Sequence, residues 1–219
     1  AHCTFKIGGP ARLFVQPADR AQLCRAVALC KAQGVRYYLL GNGSNILFAD
    51  EGYNGAVLDI SSMQDTVEVH GSQLTAGAGV RLSALCKTAL EHGLTGLEFA
   101  YGIPGTVGGA VYMNAGAYGG EMKDVLVSVT YLTREGEIVT EDAANLDLSY
   151  RHSIFEENGG CILSAKFHLK HGDSAAIKAR MDELMQKRVD KQPLDKPSAG
   201  STFKRPVGAF AAALIDQCG

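Results

Sequence analysis

Residues 102–120 read Gly102-Ile-Pro-Gly-Thr-Val-Gly-Gly-Ala-Val-Tyr-Met-Asn-Ala-Gly-Ala-Tyr-Gly-Gly120, and this glycine-rich stretch is the most informative feature of the chain. Seven of its nineteen residues are glycine, but isoleucine, valine and methionine lie between them, whereas a flexible linker is polar and rich in serine. Because glycine lets the backbone approach a neighbour without a Cβ in the way, the mixture indicates buried backbone that passes close to a ligand. The ligand that most often takes several converging backbone N–H groups is a phosphate or a pyrophosphate.

A second glycine loop, Gly41-Asn-Gly-Ser-Asn45, follows an apolar strand predicted at 36–40. An α/β unit presents a ligand-binding loop at such a position. The loop is not a Rossmann dinucleotide fingerprint, because Ile46 stands where the third glycine would be and no helix is predicted after it. Taken alone, the loop is equally consistent with a tight turn. Together with residues 102–120, it predicts a phosphate cradle.

Composition narrows the class of protein. The 219 residues are enough for one large domain or two small ones, and the 26 glycines indicate tight turns and close backbone approaches. A net charge of −2 argues against capture of nucleic acid, and no apolar run is long enough for a membrane-spanning helix. The six cysteines form no CxxC pair and favour free thiols in a reducing compartment. The six histidines show no metal-ligand spacing.

Periodicity predicts two kinds of secondary structure along the chain. The first 60 residues predict a β-α-β-β unit, with strands at 13–16, 36–40 and 55–60 and a helix capped by Asp19 that ends near Gln33. An α+β pattern follows, with hairpins at 66–76 and 125–140, a helix at 82–92 and a strand at 161–169. Two further helices are predicted, from an Asp173 cap to about Arg188 and from about Gly208 to Asp216.

Two short motifs could carry chemistry. Arg151 lies among aromatic and hydroxyl residues in Leu148-Ser-Tyr-Arg-His-Ser153, where its guanidinium could bind a carboxylate or an enolate, or could simply be a surface arginine at a strand end. Ser201 lies in the turn Ala199-Gly-Ser-Thr-Phe-Lys204, where it could be a proton donor or an ordinary helix cap. No G-x-S-x-G elbow is present and no histidine lies near Ser201, so a hydrolase triad is unsupported.

Taken in order, six segments resemble one family, the bacterial UDP-N-acetylenolpyruvoylglucosamine reductases (MurB). They are Thr4-Phe-Lys-Ile-Gly-Gly9, Gly41-Asn-Gly-Ser-Asn45, Gly102-Ile-Pro-Gly-Thr-Val-Gly-Gly-Ala110, Asn114-Ala-Gly-Ala-Tyr-Gly119, Tyr150-Arg-His-Ser153 and Ala199-Gly-Ser-Thr-Phe-Lys204. The resemblance implies an α+β FAD-binding fold of the vanillyl-alcohol-oxidase type. It divides the chain into two flavin-binding subdomains at 1–62 and 63–170 and the start of a substrate-binding domain at 171–219.

The resemblance also implies the reaction. In the family, NADPH reduces a non-covalently bound FAD, and the flavin then passes hydride to the enolpyruvyl group of a UDP-sugar, which gives UDP-N-acetylmuramate for peptidoglycan. It implies a cytoplasmic enzyme, a monomer, with no nucleic-acid or membrane partner. By motif match, Arg151 stabilises the charge that develops next to the substrate carboxylate, and Ser201 donates the proton.

The resemblance extends to a set of binding residues. Substrate contacts are expected at Tyr150, Arg151, Lys191, Ser201 and Lys204. FAD contacts are expected at Gly41, Asn42, Gly43, Ser44, Asn45, Ile46, Gly102, Ile103, Pro104, Gly105, Thr106, Val107, Gly108, Gly109, Asn114, Ala115, Gly116 and Ile162. No metal ligand is expected.

The chain departs from the family pattern at several places. The family has a segment before the Thr4 block and, near its C-terminus, a glutamate that assists at the enolate; both lie outside these 219 residues. Arg205-Pro206 stands where some members carry Asn-Pro, and the short stretch between Arg151 and Cys161 is typical of the subclass without a tyrosine-bearing insertion. Two alternatives stay open: another FAD-dependent oxidoreductase of the same fold, or an inactive FAD-binding fragment of the reductase.

Overall fold

A computed structural model describes residues 2–63 and 65–219. The helices are α1 Arg20–Ala32, α2 Leu82–Glu91, α3 Val107–Tyr112, α4 Phe155–Asn158, α5 Ser174–Lys191 and α6 Ala211–Gln217. The strands are β1 Ala11–Val15, β2 Tyr37–Leu40, β3 Tyr53–Asp59, β4 Val67–His70, β5 Gln73–Gly77, β6 Leu94–Thr95, β7 Gly116–Ala117, β8 Gly120–Glu121, β9 Leu126–Leu132, β10 Ile138–Asp142, β11 Cys161–His168 and β12 Lys170–His171. The mixture of helices and sheets confirms the α+β class.

The first 60 residues form the predicted β-α-β-β unit. Its three strands make a parallel sheet in the order β1-β3-β2. Helix α1 is capped at its N-terminus by Asp19, whose side chain accepts a hydrogen bond from the backbone N–H of Gln22 at 2.7 Å. After the helix, the chain changes direction at Gly34, whose φ of +62° suits glycine. Because β2 ends at residue 40, the Gly41–Asn45 loop leaves the sheet at the carboxyl end of its strand, where α/β units bind ligands.

A five-stranded antiparallel sheet follows, in the order β10-β9-β11-β5-β4. Both predicted hairpins, β4-β5 and β9-β10, are confirmed. The alternation of buried residues along β11 (Leu163, Ala165 and Phe167) turns one face of this sheet towards the core. That face packs against α3, so the glycine-rich stretch lies directly on the sheet.

Helix α3 was not predicted from the sequence, because its glycines and valine are poor helix formers. The structure places the helix over the end of β5. A Cβ on Gly108 would lie 2.9 Å from the Cβ of Ala78, so only glycine permits this close approach. The backbone N–H of Val107 donates to the Val80 carbonyl at 2.8 Å, and the N–H of Gly108 donates to the Ala78 carbonyl at 2.9 Å. Glycine here serves backbone packing as well as any approach to a ligand.

Helix α5 begins at the predicted Asp173 cap, which accepts from the N–H of Ala176 at 2.8 Å, and continues to Lys191, beyond the predicted end. Its buried side chains are Ile177, Met181 and Leu184, and the helix packs against α2, β6 and the short turn at 98–100. The last helix starts at Ala211, a few residues later than predicted. No helix in the described parts of the chain is long and apolar enough to cross a membrane.

The cysteines of the described residues are all unpaired. Cys30, Cys86 and Cys161 are buried, and burial raises the pKa of the Cys86 and Cys161 thiols to about 12. Thiols with such pKa values stay protonated near neutral pH and are poor nucleophiles. Cys30, Cys86 and Cys161 therefore behave as core residues, as the apolar stretches around them predicted, whereas Cys3 and Cys24 are half-buried and Cys218 is exposed.

Candidate active site

The two glycine-rich segments lie against each other. A Cβ on Gly41 would come within 2.6 Å of the Thr106 hydroxyl oxygen, and the Ser44 hydroxyl donates to the carbonyl of Pro104. The Gly41–Asn45 loop from the parallel sheet and the loop before α3 therefore form one surface. Their pairing, which the sequence analysis could only infer from glycine content, is a tertiary contact between residues about 60 positions apart in the chain.

The Gly41–Asn45 loop keeps backbone donors available. Within residues 2–63 and 65–219, no protein group accepts a hydrogen bond from the N–H of Asn42, Gly43, Ser44 or Asn45. A cavity of about 240 Å³ opens beside the loop and is lined by His2, Cys3, Thr4, Gly41, Asn42, Asp59 and Ser61. Gly43 has a φ of +61°, and a Cβ there would lie 2.4 Å from the carbonyl oxygen of His2. A glycine turn with several free N–H groups beside a cavity fits the pyrophosphate of a dinucleotide.

Thr4 joins this loop to the C-terminal segment. Its backbone N–H donates to the Gly43 carbonyl at 2.9 Å, and its hydroxyl donates to the Ser198 carbonyl at 2.6 Å. The Ser198 N–H returns a hydrogen bond to the Thr4 carbonyl at 3.2 Å. These bonds place the turn that carries Ser201 next to the glycine loop. In the sequence, Thr4 stands out only as the first residue of a motif, and nothing there predicts this role.

Arg151 lies in a tight, strained turn. Its φ is +57°, a left-handed conformation that costs a residue with a Cβ about 1–2 kcal/mol. The turn is closed by reciprocal backbone hydrogen bonds between Ser149 and His152, at 3.2 and 3.3 Å. The buried Ser153 hydroxyl donates to the Tyr112 carbonyl at 2.6 Å and ties the turn to the end of α3. Strain held by surrounding bonds is common at functional sites.

His152 follows Arg151 and lies between two carboxylates. Its Nε2 is 3.1 Å from Asp147, and its Nδ1 is 3.3 Å from Glu156. Hydrogen bonds to Glu156 and then to Asp147 raise the pKa of His152 above its ordinary value of 6.5. The imidazole therefore links the Asp147 and Glu156 carboxylates beside the Arg151 turn.

Tyr150 brings the two candidate catalytic segments together. Its hydroxyl accepts a hydrogen bond from the backbone N–H of Arg205 at 3.1 Å, and its ring lies 5.5 Å from the Arg151 guanidinium carbon. Arg205 lies in the same segment as Ser201 and Lys204, both of which are solvent-exposed. Gly200, directly before Ser201, has a φ of +81°, so the turn is left-handed at that point.

The other residues predicted for the site differ in how far they are exposed to solvent. Lys191 is the last residue of α5 and is exposed. Among the residues expected to contact FAD, six are buried by the protein itself, so a cofactor could touch only their backbone or a small part of their surface. These six are Gly43, Thr106, Val107, Gly108, Ala115 and Ile162. Asn114 is also buried, with 1% of its surface exposed.

One positively charged residue near the glycine-rich stretch was missed. The Cδ of Arg188 lies 3.1 Å from the position that a Cβ on Gly102 would take, and partial burial lowers the pKa of its guanidinium. No carboxylate within the described residues pairs with it. Its spacing of three from Lys191 on the same helix was the sequence signal that could have identified it, since residues three apart share a helix face.

Comparison with known families agrees with this geometry. The family model described as FAD binding domain matches residues 11–142, more than half of the chain. The model described as UDP-N-acetylenolpyruvoylglucosamine reductase, C-terminal domain, matches residues 192–219. The first match covers both glycine-rich segments, and the second covers the turn that carries Ser201.

Relatives cover the whole chain. The UDP-N-acetylenolpyruvoylglucosamine reductase of Clostridium novyi (strain NT) is 49% identical over 218 residues, which span 100% of this chain and 71% of the relative. The enzyme of that name from Limosilactobacillus fermentum (strain NBRC 3956 / LMG 18251) is 47% identical over 220 residues, 100% of this chain and 73% of the relative. The crystal structure of UDP-N-acetylenolpyruvylglucosamine reductase (MurB) from Thermus caldophilus superposes with a TM-score of 0.84 at 36% identity, covering 100% of this chain and 77% of that one. Together with the FAD-binding fold and the joined Tyr150 and Ser201 segments, these similarities show that the chain belongs to the UDP-N-acetylenolpyruvoylglucosamine reductase family.

Proposed function

We propose that this protein reduces the enolpyruvyl group of UDP-N-acetylglucosamine enolpyruvate to the lactyl ether of UDP-N-acetylmuramate, with NADPH as reductant and FAD as the bound cofactor. The reaction is the second step of peptidoglycan precursor synthesis in this family. The observation that carries the proposal is the hydrogen bond from the Arg205 N–H to the Tyr150 hydroxyl. It joins the arginine-bearing turn to the serine-bearing segment at one side of the glycine-rich surface.

FAD binding is supported by the glycine-rich surface. The free N–H groups of Asn42, Gly43, Ser44 and Asn45 suit its pyrophosphate, and residues 102–105 lie beside them, where the Ser44 hydroxyl donates to the Pro104 carbonyl. The N–H groups of Val107 and Gly108 already donate to the Val80 and Ala78 carbonyls, just after β5, so these two residues support the cofactor through packing. When bound, FAD takes hydride from NADPH and makes it available to the enolpyruvyl group.

Arg151 is the group that stabilises negative charge. Addition of hydride to the enolpyruvyl double bond places charge on C2 and on the adjacent carboxylate. A guanidinium can bind that carboxylate in two-pronged fashion and lowers the energy of the charged state where it develops. The strained φ of Arg151 and the bonds that close its turn hold the charge in a defined place before substrate arrives.

Ser201 is the proton donor in this proposal. A carbanion-like C2 is a strong base, so a hydroxyl of ordinary acidity can protonate it. Ser201 is exposed and lies in a left-handed turn after Gly200, where a ligand can approach closely. Tyr150, Lys191 and Lys204 complete the proposed substrate contacts, and the two lysines are exposed positive charges suited to the diphosphate.

The organisation of the chain supports a division into residues 1–62, 63–170 and 171–219. The parallel sheet lies within the first range, and the five-stranded sheet lies within the second. We place the enzyme in the cytoplasm as a monomer, without nucleic-acid or membrane partners. The net charge of −2 argues against capture of nucleic acid, and the unpaired cysteines of the described residues favour a reducing compartment.

The test is an anaerobic visible spectrum of the purified protein, followed as NADPH and then the enolpyruvyl UDP-sugar are added. Flavin bands that bleach with NADPH and return with the UDP-sugar would establish both half-reactions. Bands that bleach and return only with another acceptor, such as oxygen, would instead favour a different FAD-dependent oxidoreductase. A colourless protein that takes up no added FAD would overturn the cofactor assignment.

A further inference from the structure

Asn114 uses its side chain entirely within the protein. Its Nδ2 donates to the Glu121 carboxylate at 2.9 Å and to the Ser149 carbonyl at 3.0 Å, and its Oδ1 accepts from the backbone N–H of Lys123 at 2.9 Å. An asparagine amide has two N–H donors, and both are occupied here. With 1% of its surface exposed, the side chain offers no donor to a cofactor.

The Ser149 carbonyl is the point where Asn114 reaches the candidate catalytic turn. Ser149 closes the turn by its reciprocal bonds with His152, and Arg151 lies between them with its left-handed φ. A residue with a Cβ leaves that conformation unless its neighbours hold it. Asn114 supplies a part-buried hydrogen bond to the carbonyl of the first residue of the turn, and Ser153, directly after the turn, donates to the Tyr112 carbonyl at the end of α3.

Glu121 on the other side of Asn114 completes the arrangement. Its carboxylate lies 3.0 Å from the Lys123 ammonium as well as accepting from Asn114. The bond to Lys123 is the main cause of a lowered pKa for Glu121, and the positive charge of Arg151 contributes in the same direction. A single buried amide therefore connects the β7-β8 hairpin to the arginine turn.

We propose that Asn114 is a positioning residue for Arg151, which sets the Ser149–Arg151 turn for the substrate half-reaction and binds no part of FAD through its side chain. This inference rests on the proposed function, since it gives Asn114 its effect through Arg151. The NADPH half-reaction, which does not require Arg151 in this proposal, should be independent of Asn114.

The test compares the FAD-loaded wild-type enzyme with Asn114→Asp. The substitution preserves shape but turns a carboxylate oxygen towards two acceptors, the Ser149 carbonyl and Glu121. We expect reoxidation of the reduced enzyme by the UDP-sugar to slow by about 10- to 100-fold, as for loss of a buried hydrogen-bond partner. The rate of FAD reduction by NADPH and the Kd for FAD, measured by fluorescence titration of the apoprotein, should change by less than about twofold.

Three further variants make the result decisive. Asn114→Ser removes the amide without adding charge and should show the same split between half-reactions, which guards against misfolding of the aspartate variant. In Asn114→Asp/Glu121→Gln, the glutamine amide can donate to the new carboxylate, so part of the lost reoxidation rate should return. Asn145→Asp, which alters an exposed asparagine that donates to Glu141, is the matched control and should behave as wild type.

The outcomes separate the inference from the function on which it rests. A Kd for FAD that rises in step with the loss of rate would make Asn114 a cofactor ligand and overturn the inference. An unchanged reoxidation rate in folded Asn114→Ser would also overturn it. Failure of the wild-type enzyme itself to be reoxidised by the UDP-sugar would overturn the proposed function instead.

Discussion

The Tyr150 hydroxyl accepts a hydrogen bond from the backbone N–H of Arg205 at 3.1 Å, across 55 positions of the chain. The bond is exposed to solvent, yet it joins the turn that holds Arg151 to the segment that holds Ser201. The relative position of the Arg151 turn and the Ser201 segment therefore depends in part on the Tyr150 hydroxyl, and its removal should affect the reaction with the UDP-sugar.

Tyr150→Phe should lower kcat/KM for the UDP-sugar by about 2- to 10-fold, the range expected for loss of one neutral hydrogen bond. The loosened 199–210 segment should also be cut faster by a protease, while FAD reduction by NADPH stays unchanged. Stopped-flow kinetics and limited proteolysis measure the two effects. Tyr38→Phe is the control, since the Tyr38 hydroxyl makes no hydrogen bond to the described residues. Equal behaviour of the two variants would contradict the prediction.

Ser201→Ala should leave the reduction of FAD by NADPH intact and should block reduction of the UDP-sugar. The reason is that only the second half-reaction needs a proton at C2. Single-turnover kinetics of each half-reaction check this. If FAD reduction failed instead, while turnover of the UDP-sugar on pre-reduced enzyme survived, the role assigned to Ser201 would be wrong.

Gly43→Ala should weaken FAD binding, because a Cβ there would lie 2.4 Å from the His2 carbonyl oxygen and 2.7 Å from the Cys3 Cα. Gly71→Ala is a matched control: its φ of +60° equals that of Gly43 within a degree, but nothing lies within 4 Å of the added Cβ. Both variants should lose about 1–2 kcal/mol of stability from the left-handed conformation.

Only Gly43→Ala should displace the loop, so its Kd for FAD should rise by about tenfold or more, a change that corresponds to about 1.4 kcal/mol. Fluorescence titration of FAD and thermal unfolding of the apoproteins measure the two quantities separately. A similar Kd for both variants would mean that the 41–45 loop does not carry the cofactor.

His152→Gln should change the pH dependence of stability. The pKa of His152 is raised in the folded state, so its contribution is fully present below its ordinary value of 6.5 and is lost as the pH rises through the folded-state value. The difference in Tm between wild type and variant should therefore shrink from pH 6 towards alkaline pH. His70→Gln, which alters an imidazole 78% exposed and 4.0 Å from Glu68, is the control. A difference that stayed constant with pH would contradict the assignment.

Local sequence patterns were enough to predict those helices and strands that are specified by residues close together in the chain. The Asp19 and Asp173 caps, the hairpins predicted at 66–76 and 125–140 and the buried alternation along β11 all follow from turn chemistry and periodicity, and the structure confirms them. Helix α3 was missed, because its stability comes from packing on the sheet and from the Gly108–Ala78 approach, which intrinsic propensity does not record.

Only part of the candidate site could be predicted from the sequence. Glycine content alone predicted a phosphate-binding surface, and the order of six motifs indicated the family, since both are properties of the sequence itself. Thr4, Arg188 and Asn114 acquired their places only from the fold: a hydrogen bond or a buried contact joins groups far apart in the chain, and its geometry depends on how the sheets and helices pack. The amino-acid sequence therefore determined which chemical groups were available, and the tertiary structure decided which of them meet.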